Sequence, residues 1–184
     1  KFSHNFFIKR NYSHLPKYFL ISNNVEISKI GIVDFRNILK KSNAMKVLTN
    51  KFLSLEKEIN QKIKRKQAFL KNKEQKIIQS KNKLSDVDYK EKIRLFKAEV
   101  FQVQKKYNDE RLKLNKSFQR IQKDIKDLLA QVIKDISVKK KINVVLLKEN
   151  VFLFNDISID FTKEVLDLFN DKTKSMKITV ISSD

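Results

Sequence analysis

The sequence predicts a mainly helical protein with a small β body: a long antiparallel coiled-coil hairpin arm projecting from a β core that only several copies together complete. Three observations carry this. The chain has one Gly and one Pro in 184 residues. Two long stretches between residues 40 and 141 place apolar residues at heptad spacing. Short β-branched runs flank them on either side. Gly and Pro punctuate turn-rich folds, so their scarcity favours long uninterrupted helices.

Taken in chain order, residues 1–28 are an N-terminal extension without clear patterning, expected to be mobile or lightly docked. KIGIVDF, residues 29 to 35, reads as a strand. The first long helix carries Met45, Leu48, Phe52, Leu55, Ile59 and Ile63 at spacings of 3 and 4. Its seam then thins to Leu70, Ile77 and Leu84, one apolar residue per seven. The second helix is fuller, running from Ile93, Phe96, Val100, Val103 and Tyr107 through Leu114, Phe118, Ile121, Ile125, Leu128 and Val132. Between them Ser85 is placed to cap the second helix, with Asp86 and Asp88 at the positive end of its dipole.

A fold-back about Val87 to Tyr89 makes facing residue numbers add to about 177. It pairs Leu84 with Ile93, Ile77 with Val100, Leu70 with Tyr107, Ile63 with Leu114, Ile59 with Phe118, Phe52 with Ile125 and Met45 with Val132. Lys66 then meets Glu110. Each arm helix, within residues 40–137, would be roughly 65 to 75 Å long.

After the arm, NVVLL (143–147) and VFLF (151–154) read as strands of a β-hairpin. A short helix follows, with Thr162 as N-cap, Glu164 in its first turn and Val165, Leu166 and Phe169 on its apolar face. Residues 29–39 and 138–170 thus form a β-rich oligomerisation body, and 171–184 a weakly patterned tail, expected to be mobile or lightly docked. Three strands and one helix cannot hide runs as apolar as VVLL and VFLF, so their edges invite other copies of the chain.

Much chemistry is excluded. With Gly31 the sole glycine, neither a P-loop nor a dinucleotide fingerprint can be written, because both need several glycines to bring backbone against phosphate. The chain has no Cys, and its two His, His4 and His14, lack companion carboxylates. No enzyme activity and no cofactor or metal is expected. No apolar run reaches the length of a membrane span, about 20 residues.

Charge is the feature that demands a partner. Of the net +20, residues 40–141 hold thirty basic and twelve acidic groups, while residues 142–184 are slightly acidic. Within KIKRKQAFLKNKEQKIIQSKNK, residues 62 to 83, nine side chains are basic and only Glu74 is acidic. Like charges at i,i+4 cost an isolated helix about 0.2–0.5 kcal/mol per pair, so local pairing does not explain them. A face meant only for solubility usually mixes signs. Phe69, Ile78, Leu95 and Phe101 lie beside the seam, and Phe96 and Val103 face Lys81 and Glu74, leaving a broken apolar patch on a thin arm.

Such a surface suits an unfolded polypeptide with acidic and apolar segments, captured by long-range attraction and held by many adaptable contacts. Nucleic acid is the alternative partner, since lysines gain affinity by releasing phosphate counterions. Aromatic interleaving is poor for base stacking, however, and the positive charges do not form one stripe.

The order of elements resembles the OmpH/Skp family of periplasmic chaperones, over about residues 29 to 170. The resemblance rests on KIGIVDF with its Asp34, LSDVDYKEK at the hairpin turn, INVVLLKENVFLF, and DISIDFTKEVLDLFN with Thr162, Glu164, Val165 and Leu166. It implies a homotrimer with a β-barrel body and three coiled-coil tentacles around a cavity. It also implies ATP-independent holding of unfolded outer-membrane proteins in the periplasm. A lipopolysaccharide or other anionic-lipid partner comes with the family, but no lysine spacing here is distinctive enough to carry a site over.

On this reading, Lys62, Lys64, Arg65, Lys66, Lys71 and Lys73 attract a client from the first helix, with Lys76, Lys81, Lys83, Lys90, Lys92 and Arg94 doing so around the tip. Phe69, Ile78, Leu95, Phe96 and Phe101 supply the apolar contacts.

Overall fold

The computed structural model describes residues 29–180; the expectations for residues 1–28, His4 and His14 included, fall outside them. Strand β1 (Ile30–Val33) leads into helices α1 (Phe35–Lys41), α2 (Asn43–Gln79) and α3 (Asp86–Lys139), then strand β2 (Val144–Leu147) and helix α4 (Thr162–Thr173). The protein is mainly helical with a small two-stranded sheet. β1 and β2 are parallel, Ile30 opposite Val144 and Val33 opposite Leu147, so the three intervening helices form one long crossover.

The strand signal in KIGIVDF holds for four residues. Asp34 ends it: its carboxylate accepts a 2.9 Å hydrogen bond from the Asn37 N–H and so caps α1, into which Phe35 is drawn. Gly31 stands where a side chain would crowd its neighbours. A Cβ there would lie 2.7 Å from the Phe161 ring and 2.9 Å from Ile142 Cδ1. The other edge of β1 is closed by a bridge from Ile32 to Asp160.

A break the sequence reading missed separates α1 from α2 at Ser42. This fully buried hydroxyl donates to the Leu39 carbonyl at 3.0 Å and accepts from the Met45 N–H at 3.3 Å, serving both helix ends. At the far end of α3 the chain leaves the helix through Lys141 at φ 55°. The N–H groups of Ile142 and Lys141 return to the Ser137 and Val138 carbonyls, a Schellman stop formed without glycine.

α2 and α3 pack along their lengths, and partner numbers on α3 fall as those on α2 rise. The rings of Phe52 and Phe118 are 4.6 Å apart, Arg111 donates to Asn60 Oδ1 at 2.6 Å, and Lys73 pairs with Glu99. The expected register is therefore corrected by roughly one to two helical turns: Phe52 meets Phe118, not Ile125. The cause lies at the turn. A 3₁₀ turn at Lys81–Lys83 reverses the chain before Ser85, ahead of the predicted centre at Val87 to Tyr89. Ser85 does cap α3, accepting from the Asp88 N–H at 3.1 Å.

The same shift corrects two pairings. Lys66 bonds Glu99 at 3.1 Å rather than Glu110, whose buried carboxylate lies 4.0 Å from Lys106. Phe96 does not face Lys81: it is buried with Leu70 and Ile77, and Val103 packs partly buried against the same cluster.

Two expectations for the C-terminal third also change. VFLF is not a strand, and no hairpin forms with β2. A 3₁₀ turn at Lys148–Asn150 sends the chain away, and Phe152 is fully exposed, since one chain offers no surface to cover it. Thr162 does not cap α4. Phe161 holds that position, and Thr162 Oγ1 instead accepts from the Asp34 N–H at 2.8 Å, tying α4 to the start of α1. The tail packs on the main core as far as Val180: Ile178 is buried there, with Met176 and Val180 beside it, and Lys51 Nζ donates to the Ile178 carbonyl.

That main core sits where β1, α1, α4 and the near ends of α2 and α3 meet. Ile38, Leu48, Ile125, Leu129, Val165 and Phe169 are all completely buried there.

Candidate binding surface of the helix pair

Away from that core the helix pair narrows to a thin seam whose surface is basic. Of the twelve basic residues expected to attract a partner, all are exposed except Lys66, which is half-buried. Three spend their charge within the pair. Glu99 on α3 receives hydrogen bonds from both Lys73 and Lys66 on α2, and these hold its carboxyl below the usual carboxylate range. Arg94 forms a two-pronged pair with Glu91, both contacts at 2.7 Å; that hydrogen bond lowers the Glu91 pKa and raises that of Arg94. Lys62, Lys64, Arg65, Lys71, Lys76, Lys81, Lys83, Lys90 and Lys92 have no ion-pair partner among the described residues.

The apolar candidates divide. Phe69, Ile78, Leu95 and Phe101 are each more than half exposed, and the Lys66 ammonium sits 4.4 Å above the Phe69 ring. Phe96, as noted, is core.

Sequence reasoning missed a groove. Along one face of the pair α2 and α3 leave an open channel of about 660 Å³. Its floor is Ile63, Leu70, Phe96, Val100, Val103 and Tyr107; Lys71, Lys97 and Arg111 stand on its rim with Glu74 as the lone acid. The signal was present in the sequence: α2 offers one apolar residue per heptad where α3 offers two, so the surplus on α3 has nothing to meet.

A second exposed surface lies at the other end of the molecule. Ile30, Val144, Leu146 and Leu147 on the sheet, with Phe152, Leu153 and Ile157 beyond it, are all exposed. Here Lys148 bonds Asp160 at 2.7 Å and fixes the loop's origin. Burial pushes the Asp160 carboxyl up, but the hydrogen bonds from Lys148 and Thr162 outweigh it and hold the group below its ordinary range. No group of three or more His, Cys, Asp or Glu among the described residues could hold a metal ion. No helix there is long and apolar enough to cross a membrane.

The fold is shared with a protein of known structure. In fold, the chain is similar to a Caulobacter crescentus CB15 protein proposed to be an outer membrane chaperone (OmpH-like). The TM-score is 0.75 at 16% identity, over 86% of this chain and 93% of that one. No curated protein matches the sequence. The model of the family described as outer membrane protein (OmpH-like) matches residues 29–169, most of the sequence, and the chain belongs to that family.

Proposed function

We propose that this protein is an ATP-independent holdase chaperone of the periplasm, a homotrimer that keeps unfolded outer-membrane proteins from aggregating. α2 and α3 form an antiparallel hairpin arm, and the sheet with its neighbouring loop forms the body through which copies assemble. The observation that carries the reading is the outer part of the arm: nine basic side chains without ion-pair partners among the described residues, interleaved with the exposed Phe69, Ile78, Leu95 and Phe101. Unpaired lysines extend attraction to about a Debye length, ~8 Å at physiological salt, and speed encounter with an acidic chain. Scattered apolar groups add contacts that no single client sequence dictates.

Assembly is supported by the exposed apolar residues of β2 and by Phe152, Leu153 and Ile157, too many to leave wet on a monomer. Three such bodies side by side would set the arms around a shared space.

The test dilutes a urea-unfolded membrane β-barrel protein into buffer with and without this chain and follows light scattering. The expected result is a soluble complex at a fixed ratio of client to trimer, formed without ATP. Undiminished aggregation overturns the proposal, as does a strictly monomeric mass by ultracentrifugation at micromolar concentration. Gel shift with heterogeneous RNA covers the rival partner.

A further inference from the structure

Resting on the holdase reading, we propose that the groove between α2 and α3 is a docking channel for a short extended segment of unfolded polypeptide in which carboxylates alternate with bulky apolar side chains. The arm is two-sided. Lys66 and Lys73 flank Leu70 on one side of α2, and both grip Glu99, so that edge of the seam is stitched shut. Gln67, Lys71 and Glu74 flank Leu70 on its other side, and there the helices stay apart. None of the three stitching residues lines the groove.

Dimensions and chemistry choose the occupant. The groove follows α2 from Ile63 to Glu74, roughly 16 Å at 1.5 Å per residue, which matches about five residues of extended chain. Its volume of about 660 Å³ lies in the range of ligand pockets. The apolar floor takes side chains of one face of such a segment. Gln67, Gln104 and Asn108 line the walls, and their amides both donate and accept, as the main chain of an extended peptide requires. An acyl chain would use none of them. The rim sets the charge: Lys71 and Lys97 have no ion-pair partner among the described residues, and Arg111 spends only one of its donors on Asn60.

The chain has no Trp, so a tryptophan-bearing peptide can be read without background. The probe is a capped pentapeptide alternating acidic residues with tryptophan, titrated with the full chain and followed by fluorescence anisotropy. Saturable binding with a blue-shifted emission is expected. The double variant Lys71→Glu/Lys97→Glu should weaken it at least tenfold, and Val100→Phe/Val103→Phe, which fills the channel, should do the same. Lys113→Glu/Lys116→Glu, equal in charge change but off the groove, should leave it within twofold.

Circular dichroism checks that each variant keeps its helices. If filling perturbs the seam, the charge pair still decides. Parent-like affinity in both groove variants overturns the proposal; so does equal affinity for the lysine counterpart of the peptide, and so does binding of dodecanoate with no binding of peptide. The holdase reading fails separately. If the peptide binds as described but the client protein aggregates, the channel stands and the chaperone does not; if the filled variant holds the client as well as the parent does, the channel falls and the chaperone stands.

Discussion

The two ends of α2 and α3 are built to different standards. At the base, β1, α1, α4 and the docked tail surround the helices, and Leu48, Ile125, Leu129 and Val132 are wholly buried. Farther out the seam still buries Ile59, Glu110 and Leu114, but in the cluster nearest the turn Leu70, Ile77 and Phe96 each keep 8–9% of their surface exposed. Two helices alone cannot enclose a side chain from all directions, so each apolar residue there gains less from burial. The contrast teaches that stability is concentrated at the base, leaving the outer pair free to carry unpaired lysines and half-used apolar groups. Loosely packed, low-stability elements are where binding surfaces are commonly found.

The sharpest way to break the contrast is at the base. Phe169 is completely buried on α4, so Phe169→Ala should cost about 3–5 kcal/mol, measured by urea unfolding. A smaller loss than that from any outer seam truncation would mean the base is not the anchor. Next in size, Leu70→Ala in the outer cluster should cost about 2 kcal/mol, the low end for such a truncation, because the site is already part wet. Hydrogen exchange should locate the damage between Ile63 and Tyr107 while the amides of β1 and α4 stay protected. Uniform acceleration would show the two regions to be one cooperative unit.

Within the base, Ser42 joins α1 to α2. Ser42→Ala removes the cap of α2 and leaves the Met45 N–H without its acceptor, an expected loss of about 1 kcal/mol in thermal unfolding. Ser42→Asp, which restores an acceptor in a fully buried position, should not recover it, because the Leu39 carbonyl would then face a carboxylate.

These features differ in how readily the sequence reveals them. The helices, the Ser85 cap and the buried face of Val165 and Phe169 were legible because each depends on neighbours within a turn or two. The register was not. A heptad seam puts apolar residues opposite apolar residues again after every slip of seven, so Phe52 fits Phe118 as well as Ile125, and only the turn geometry decides. That slip also decided whether Phe96 was surface or core. Thr162 was misread for a related reason: a good capping residue by type, it bonds a backbone N–H that lies far away in sequence. The strand at VFLF failed because strand propensity needs a surface to pack on, and one chain supplies none. The unpaired lysines were legible one by one, but the groove was not, since it is a property of two helices in one register.

The smallest effect is expected from the stitch that closes one side of the arm. Glu99 is held below the ordinary carboxylate range by hydrogen bonds from Lys73 first and Lys66 second. A carboxyl whose folded pKa is depressed contributes stability above its unfolded value, about 4.3, and loses it as pH falls through the folded value. Glu99→Gln should therefore leave the unfolding midpoint of the base unmoved. At neutral pH and low salt it should quicken amide exchange around Lys66 and Lys73, and added salt should narrow the difference from the parent, since the pair is near solvent. Acidification should narrow it too, because a protonated Glu99 loses its charge as the amide has. A difference that persists unchanged at about pH 2, well below the unfolded carboxylate value, would mean that Glu99 acts through packing and not through its charge. The open face of the arm would then owe nothing to the closed one.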